Sequence, residues 1–262
     1  MSSNNPEQAL FPIIPVTEAT DILGLPRPAA AKLLARWAKK GWLSRVRRGL
    51  YIPVPLESPT ADIPLDDSWA VADRLFRPCT IGGWSAAEHW DLTEQIFRTV
   101  MVFTTQRPRV RNQNIKGTAF LIRTIPDKAL FGLTPVWRGQ VKVMVSDTSR
   151  TLLDMLSDPQ SGGGLRSTVE LFRNYLASES KDLSLLLQYG DQLGNGAVFK
   201  RLGYLLERYA PDDKDIMDQC RQRLSTGNAR LDPSNPSPRL ITRWRLWVPE
   251  GWEDSTSYSA KE

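Results

Sequence analysis

Between Arg27 and Arg48 the chain carries eight lysines and arginines (Arg27, Lys32, Arg36, Lys39, Lys40, Arg45, Arg47 and Arg48) and no aspartate or glutamate. Helix and turn signals cut this block into short pieces, and the combination restricts what the segment can become. Upstream, Val16–Leu23 (VTEATDIL) sets Ala19, Ile22 and Leu23 along one stripe of a short helix, with Thr17 placed as its N-cap. Gly24-Leu25-Pro26 then supplies a helix-ending glycine, an apolar residue to tuck between helices and a proline that cannot continue the first helix. Good helix formers follow from Arg27 to Lys40 (RPAAAKLLARWAKK), with Pro28 tolerated in the first turn. Ala30, Leu33, Leu34, Trp37 and Ala38 form the expected buried face, which leaves Arg27, Ala31, Lys32, Ala35, Arg36 and Lys39 outside.

The second helix should stop at Gly41. Beyond it, Trp42–Val46 and Leu50–Ile52 read as two short strands around Arg47-Arg48-Gly49, where glycine can take the positive φ of a tight hairpin. Helix, three-residue turn, helix and basic hairpin together describe a winged helix-turn-helix. On that reading the second helix enters the major groove, with Arg27 as the best base reader because a guanidinium can bond guanine O6 and N7 together. Lys32, Arg36 and Lys39 read bases or hold phosphates, and Arg45, Arg47 and Arg48 of the wing meet the backbone or minor groove. Small Ala31 and Ala35 let a phosphate backbone come close, and Trp37 and Trp42 are assigned to packing.

The whole chain has 262 residues and a formal net charge of +5, so everything outside the basic block is net acidic. Its 41% hydrophobic and 24% charged residues are those of an ordinary globular protein long enough for two domains. Residues 53–65 (PVPLESPTADIPL) carry four prolines and read as a stiff linker. We therefore expect a winged helix-turn-helix domain over 1–56, an α+β domain over 57–250 and a disordered tail over 251–262. Within the second domain, 66–76 and 85–92 read as helices, the latter capped by Ser85, and 79–81 reads as a strand. Residues 98–105, 118–125 and 135–145 cluster β-branched and aromatic residues like strands of one sheet. After Asp147 the chain turns helical over 147–157, 165–177, 182–193, 197–209 and 213–224, and 240–248 alternates like one last strand. The fold class is α+β: an N-terminal winged helix-turn-helix, then a mixed α/β domain with a helical C-terminal half.

The remaining signals for chemistry are thin. Cys79 and Cys220 lack any CxxC spacing and read as reduced core thiols, and the single histidine, His89, reads as structural. Gly162-Gly163-Gly164 lacks the Gly-Lys-Ser/Thr ending of a phosphate loop, and Gly82-Gly83-Trp84-Ser85 fails as a nucleophile elbow. Pro126-Asp127 followed by Gln140-Val141-Lys142 resembles the spaced acid and lysine of PD-(D/E)xK nucleases, with glutamine in place of the second acid. That makes a winged-helix-targeted, metal-dependent nuclease the alternative function, against which Asp127 serves as a helix cap. Asp147 suits an N-cap, and Asp154 lies one helical turn beyond Arg150 in salt-bridge register. No catalytic constellation, metal site or cofactor site emerges, so the chain is read as a binding protein. No apolar run reaches the about 18 residues of a membrane span, and residues 1–10 lack the blocks of a signal peptide, which sets the expectation at the cytoplasm.

The order of motifs resembles the AbiEi family of antitoxins from type IV toxin–antitoxin (abortive infection) systems. The matching residues are Thr17-Glu18-Ala19 through Gly24-Leu25-Pro26, Gly41-Trp42-Leu43, Arg47-Arg48-Gly49-Leu50-Tyr51, Gly83-Trp84-Ser85-Ala86 and Asp147 through Asp154 (DTSRTLLD), over roughly residues 10–210. The resemblance implies a bacterial repressor that binds double-stranded DNA at inverted repeats in the promoter of its own operon, while its second domain helps to neutralise a cognate nucleotidyltransferase toxin. It implies no catalysis, and it puts the DNA-reading role on Arg27, Lys32, Arg36, Arg45, Arg47 and Arg48. Pro28-Ala29-Ala30-Ala31 departs from a polar recognition-helix start and points to a phosphate-dominated mode.

Overall fold

The structure, a computed structural model, describes residues 13–54, 67–139 and 141–252. In chain order it builds β1 (Ile14–Pro15), α1 (Val16–Leu23), α2 (Arg27–Lys39), β2 (Leu43–Arg47), β3 (Leu50–Pro53), α3 (Ser68–Phe76), β4 (Cys79–Ile81) and α4 (Gly83–His89). There follow β5 (Thr99–Thr104), β6 (Asn112–Ile115), β7 (Thr118–Thr124), β8 (Leu133–Arg138) and β9 (Val141–Ser146). The chain then runs through α5 (Thr148–Ser157), α6 (Leu165–Ala177), α7 (Leu183–Leu193), α8 (Gly196–Tyr209), α9 (Lys214–Gln222), β10 (Ala229–Arg230), β11 (Arg239–Ile241) and β12 (Leu246–Val248). The fold is α+β, and no helix among the described residues is long and apolar enough to cross a membrane.

Two compact units interleave along the chain: one takes the described residues of Met1–Ile81, Arg98–Thr124 and Pro135–Met144, the other those of Gly82–Phe97, Ile125–Thr134 and Val145–Glu262. The linker residues expected at the domain boundary, 55–65, and the tail from 253 on lie outside the described residues. The first unit begins with the winged helix-turn-helix. Its core is Val16, Ala19, Ala30, Leu34, Leu43 and Tyr51, with Leu25, Trp37 and Ala38 packed around it. Gly24 and Gly49 adopt the left-handed φ (63° and 82°) that the helix stop and the wing turn require. The wing is a three-stranded sheet in the order β1-β3-β2, because Ile14 and Pro15 pair with Tyr51 and Leu50.

That added strand corrects the start of α1. The Val16 amide donates to the Gly49 carbonyl at 2.9 Å, so the helix begins at Val16 with Pro15 as its extended N-cap, and Thr17 lies inside it. With Val16 and Ala19 setting the buried line, Ile22 sits about 90° around the helix from it. Ile22 is accordingly 74% exposed and departs from the expected stripe, while Leu23, on the buried line but at the last turn of the helix, is 38% exposed.

The rest of the first unit is α3 and most of a six-stranded sheet in the order β6-β7-β5-β4-β9-β8. Strand β5 runs parallel to β7 and antiparallel to β4, and Val100–Thr104 are buried without alternation, as an interior strand requires. Helix α3 is capped by Asp67, whose Oδ1 accepts from the Trp69 and Ala70 amides at 2.9 and 3.0 Å. Phe76 of α3 packs against Phe120 of β7 with ring centroids 6.0 Å apart. Strand β6, which carries little β signal in Asn112-Gln113-Asn114-Ile115, is recruited by a two-residue turn: Lys116 and Gly117 both take positive φ and pair it antiparallel with β7.

The second unit is helical around α5, from Ser149 through Leu156 buried at every position. Its core includes Leu152, Leu156, Phe172, Tyr175, Leu186, Leu202, Leu205 and Trp244. Ser85 is corrected from cap to interior: α4 starts at Gly83 with Gly82 before it, and Ser85 is buried within the helix. Asp127 is likewise the first residue of a single 3-10 turn (Asp127–Ala129) whose N-cap is Pro126. The expected strand over 240–248 is two short strands, β11 and β12, paired antiparallel around a 3-10 turn at Thr242–Trp244. Left-handed Arg245 breaks the alternation and drops Trp244 into the core, fully buried against Gly203 of α8.

Candidate nucleic-acid interface

Helix α2 buries Ala30 and Leu34 and turns Arg27, Pro28, Ala29, Lys32, Ala35, Arg36 and Lys39 to solvent. Residues 28, 32, 35, 36 and 39 follow the i, i+4, i+7, i+8, i+11 line of one face. Along it, long cations alternate with side chains no larger than proline, leaving a relief into which a phosphate ridge can settle. Ala31, expected outside, is half-buried against the core. The start of α2 carries no side-chain cap and no acid in its first turn, so its positive dipole end faces solvent beside Arg27. Arg36 and Lys39 close the helix with the cations its C-terminal dipole favours.

The wing continues this surface. Arg45 and Arg48 are exposed, and Arg45 Nε reaches the Arg47 carbonyl at 3.4 Å within the hairpin. Arg47 is different: its Nη2 donates to the Leu75 carbonyl at the end of α3 at 3.2 Å, and burial holds its guanidinium below its usual pKa. One of its donors is therefore committed to the protein, so Arg48 is the freer wing cation. No acidic side chain among the described residues forms an ion pair with Arg27, Lys32, Arg36, Lys39, Arg45 or Arg48. Trp42, read as a packing residue, is 57% exposed at the base of the wing, where Lys40 Nζ lies 4.7 Å from its ring centroid. The signal that marks Trp42 as a surface aromatic is its place directly after the helix-ending Gly41.

The other motifs find structural employment. Asp147 caps α5, its Oδ1 accepting from the Arg150 amide at 2.7 Å and its Oδ2 from the Tyr189 hydroxyl at 2.9 Å. Arg150 is 2% exposed and forms its salt bridge to Asp154 at 2.9 Å in the interior rather than on a helix surface. Its Nη1 also donates to the Phe131 carbonyl at 3.1 Å, and its guanidinium lies 4.2 Å over the Phe131 ring. The DTSRTLLD motif is thus a buried polar brace. Cys79 and Cys220 are free, buried thiols, and burial pushes both up to about 12. Asp127 and Lys142 are both exposed and belong to different compact units. No group of three or more His, Cys, Asp or Glu that could hold a metal ion occurs among the described residues.

No curated protein matches the chain. Among solved structures, the crystal structure of RV2827C protein from Mycobacterium tuberculosis aligns with a TM-score of 0.59 at 15% identity, covering 90% of this chain and 86% of that one, a likeness of fold. The family model described as "Transcriptional regulator, AbiEi antitoxin" matches residues 10–54, the segment that holds α1, α2 and the wing. Over that segment the chain is similar to the AbiEi antitoxin family of transcriptional regulators.

Proposed function

We propose that this chain is the antitoxin of a type IV toxin–antitoxin system and represses its own operon by binding inverted repeats in the promoter. The observation that carries the DNA-binding half is the outward face of α2 and the wing: Arg27, Lys32, Arg36, Lys39, Arg45 and Arg48, exposed, unpaired with acids among the described residues and interleaved with small side chains. Phosphate contacts supply most of the affinity, and Arg27 at the start of the helix is the best base reader, since Pro28 and Ala29 offer no polar atoms, while Lys32 and Arg36 read bases or hold phosphates. The antitoxin half rests on the family match alone. On that reading the protein is cytoplasmic and regulatory rather than catalytic, and it counteracts a nucleotidyltransferase toxin.

Fluorescence anisotropy on the DNA upstream of its own gene and on a scrambled duplex, across a range of salt concentrations, tests the first half. The native duplex should win, Arg27→Ala should erode that preference, and Arg48→Ala should weaken both duplexes and lower the salt slope by about 1. A wild-type protein that binds neither duplex overturns the reading. Co-expression with the neighbouring toxin gene tests the second half, the expected outcome being growth rescued by this chain and lost without it.

A further inference from the structure

Between Glu94 and Asp127 the chain holds a second acid-free stretch, carrying Arg98, Arg107, Arg109, Arg111, Lys116 and Arg123. Three of these cations stand on the short connection from β5 to β6. Arg107, Arg109 and Arg111 are all exposed, and none forms an ion pair with an acid among the described residues. The connection is held in place by its backbone. The Gln106 carboxamide donates to the Arg77 carbonyl, the Thr124 hydroxyl donates to the Gln106 carbonyl at 3.0 Å, and the Ile122 amide donates to the Arg111 carbonyl at 2.8 Å. The arginines are therefore presented from a fixed ledge at the edge of the sheet.

This ledge adjoins the wing within the same compact unit. A cavity of about 520 Å³ is lined on one side by Arg47 and Leu75 and on the other by Arg109, Asn112, Gln113 and Asn114. We propose that the DNA footprint extends past the wing onto this ledge, with Arg107, Arg109 and Arg111 meeting phosphates beyond those held by α2 and the wing. The inference rests on the DNA-binding reading above. Duplex DNA is the partner the surface fits: the cations continue the positive charge of Arg45 and Arg48, none of them paired with an acid among the described residues, and Asn112, Gln113 and Asn114 of the edge strand offer neutral amide N–H groups that can donate to phosphate oxygens without repelling them.

The test uses the full chain on two duplexes, one spanning a single operator half-site and one lengthened on either side by about one helical turn, about 10 bp. Wild-type protein should bind the longer duplex about tenfold more tightly. The triple variant Arg107→Ala, Arg109→Ala, Arg111→Ala should lose that increment, and its salt slope on the longer duplex should fall by about 2 to 3, as expected when three phosphate contacts go. The triple lysine variant at the same positions should restore both, and Lys128→Ala, Arg166→Ala, Lys214→Ala, which removes equal charge from the other unit, should leave both intact. If wild-type protein binds the two duplexes equally and the alanine triple matches it, this inference fails and the winged-helix reading stands. If wild-type protein ignores both duplexes, the winged-helix reading falls and takes this one with it.

Discussion

Arginine does opposite work in the two units. On α2 and the wing, Arg27, Arg36, Arg45 and Arg48 lie in solvent with no acidic partner among the described residues, around a core of six buried apolar side chains. In the second unit, Arg150 and Arg201 are 2% and 4% exposed and spend their donors inside the protein. Arg201 Nη1 donates to the Leu156 and Ser157 carbonyls at 2.7 and 3.0 Å, its Nε and Nη2 both reach the Arg230 carbonyl, and burial pushes its guanidinium down to about 10. It thereby ties the C-terminal end of α5, where dipole and orphan carbonyls both favour a cation, to β10. The lesson is that net charge alone does not locate a nucleic-acid surface. What separates the two sets is whether the local structure supplies acceptors for the guanidinium or leaves them to a ligand.

The sharpest way to break this contrast is to remove a guanidinium from each set and compare stability. Arg150→Met should destabilise the protein by about 3 to 5 kcal/mol in chemical denaturation, because Asp154 is left buried beside an apolar neighbour. The double variant Arg150→Met, Asp154→Leu should recover most of that loss, since an apolar pair of similar volume replaces a buried ion pair at little cost. A single and a double variant of equal stability would mean that the pair does not brace the interior.

Packing in the second unit predicts the next largest effect. A Cβ built on Gly203 would lie 2.1 Å from the ring of fully buried Trp244. Gly203→Ala should therefore cost about 1 to 3 kcal/mol, overpacking outweighing the alanine's better helix propensity. A variant as stable as the wild type would show that Trp244 can move aside and that the small C-terminal sheet is not locked to α8.

On the other side of the contrast, Arg36→Ala should change stability by no more than about 0.5 kcal/mol, as surface changes do. Its effect should appear only with DNA, as a several-fold weaker affinity and a salt slope lower by about 0.9. Loss of stability without loss of affinity would move Arg36 into the structural set.

How much of this was legible in the sequence follows the same division. The helix-turn-helix and wing could be read because their punctuation is local: Gly24, Pro26, Gly41 and Gly49 each force one backbone event within a few residues. The helices after Asp147 were legible for the same reason, and their observed bounds differ from the expected ones by a residue or two at most sites. What could not be read depends on partners distant in sequence. Thr17 looks like a cap until the Gly49 carbonyl takes the Val16 amide, and Asn112-Gln113-Asn114-Ile115 has no strand signal until β7 lies beside it. The depth of the Arg150–Asp154 pair is equally invisible, because an i, i+4 spacing is the same on a surface and in a core. In the interface itself, the second acid-free run from Arg98 to Arg123 is plain in the sequence, but its bearing on the wing depends on the fold that carries both.

One arginine lies between the two extremes and gives the smallest effect. Arg243 is about half exposed, and its guanidinium grips both carboxylate oxygens of Glu207, which also accepts from the Trp244 indole. The Arg243 hydrogen bonds, ahead of burial acting in the opposite sense, hold the Glu207 carboxyl below its usual value near 4.5. A lowered carboxyl binds fewer protons folded than unfolded, so its stabilisation is complete above about pH 4.5 and drains away as the pH falls through the lowered folded value. Glu207→Gln should therefore be less stable than the wild type at pH 7, and the gap should narrow in urea melts taken progressively below pH 4. The gap should stay small throughout, because half-exposed ion pairs are screened by solvent. A gap that is constant with pH would mean that Glu207 acts through its shape and its bond to Trp244 rather than through its charge.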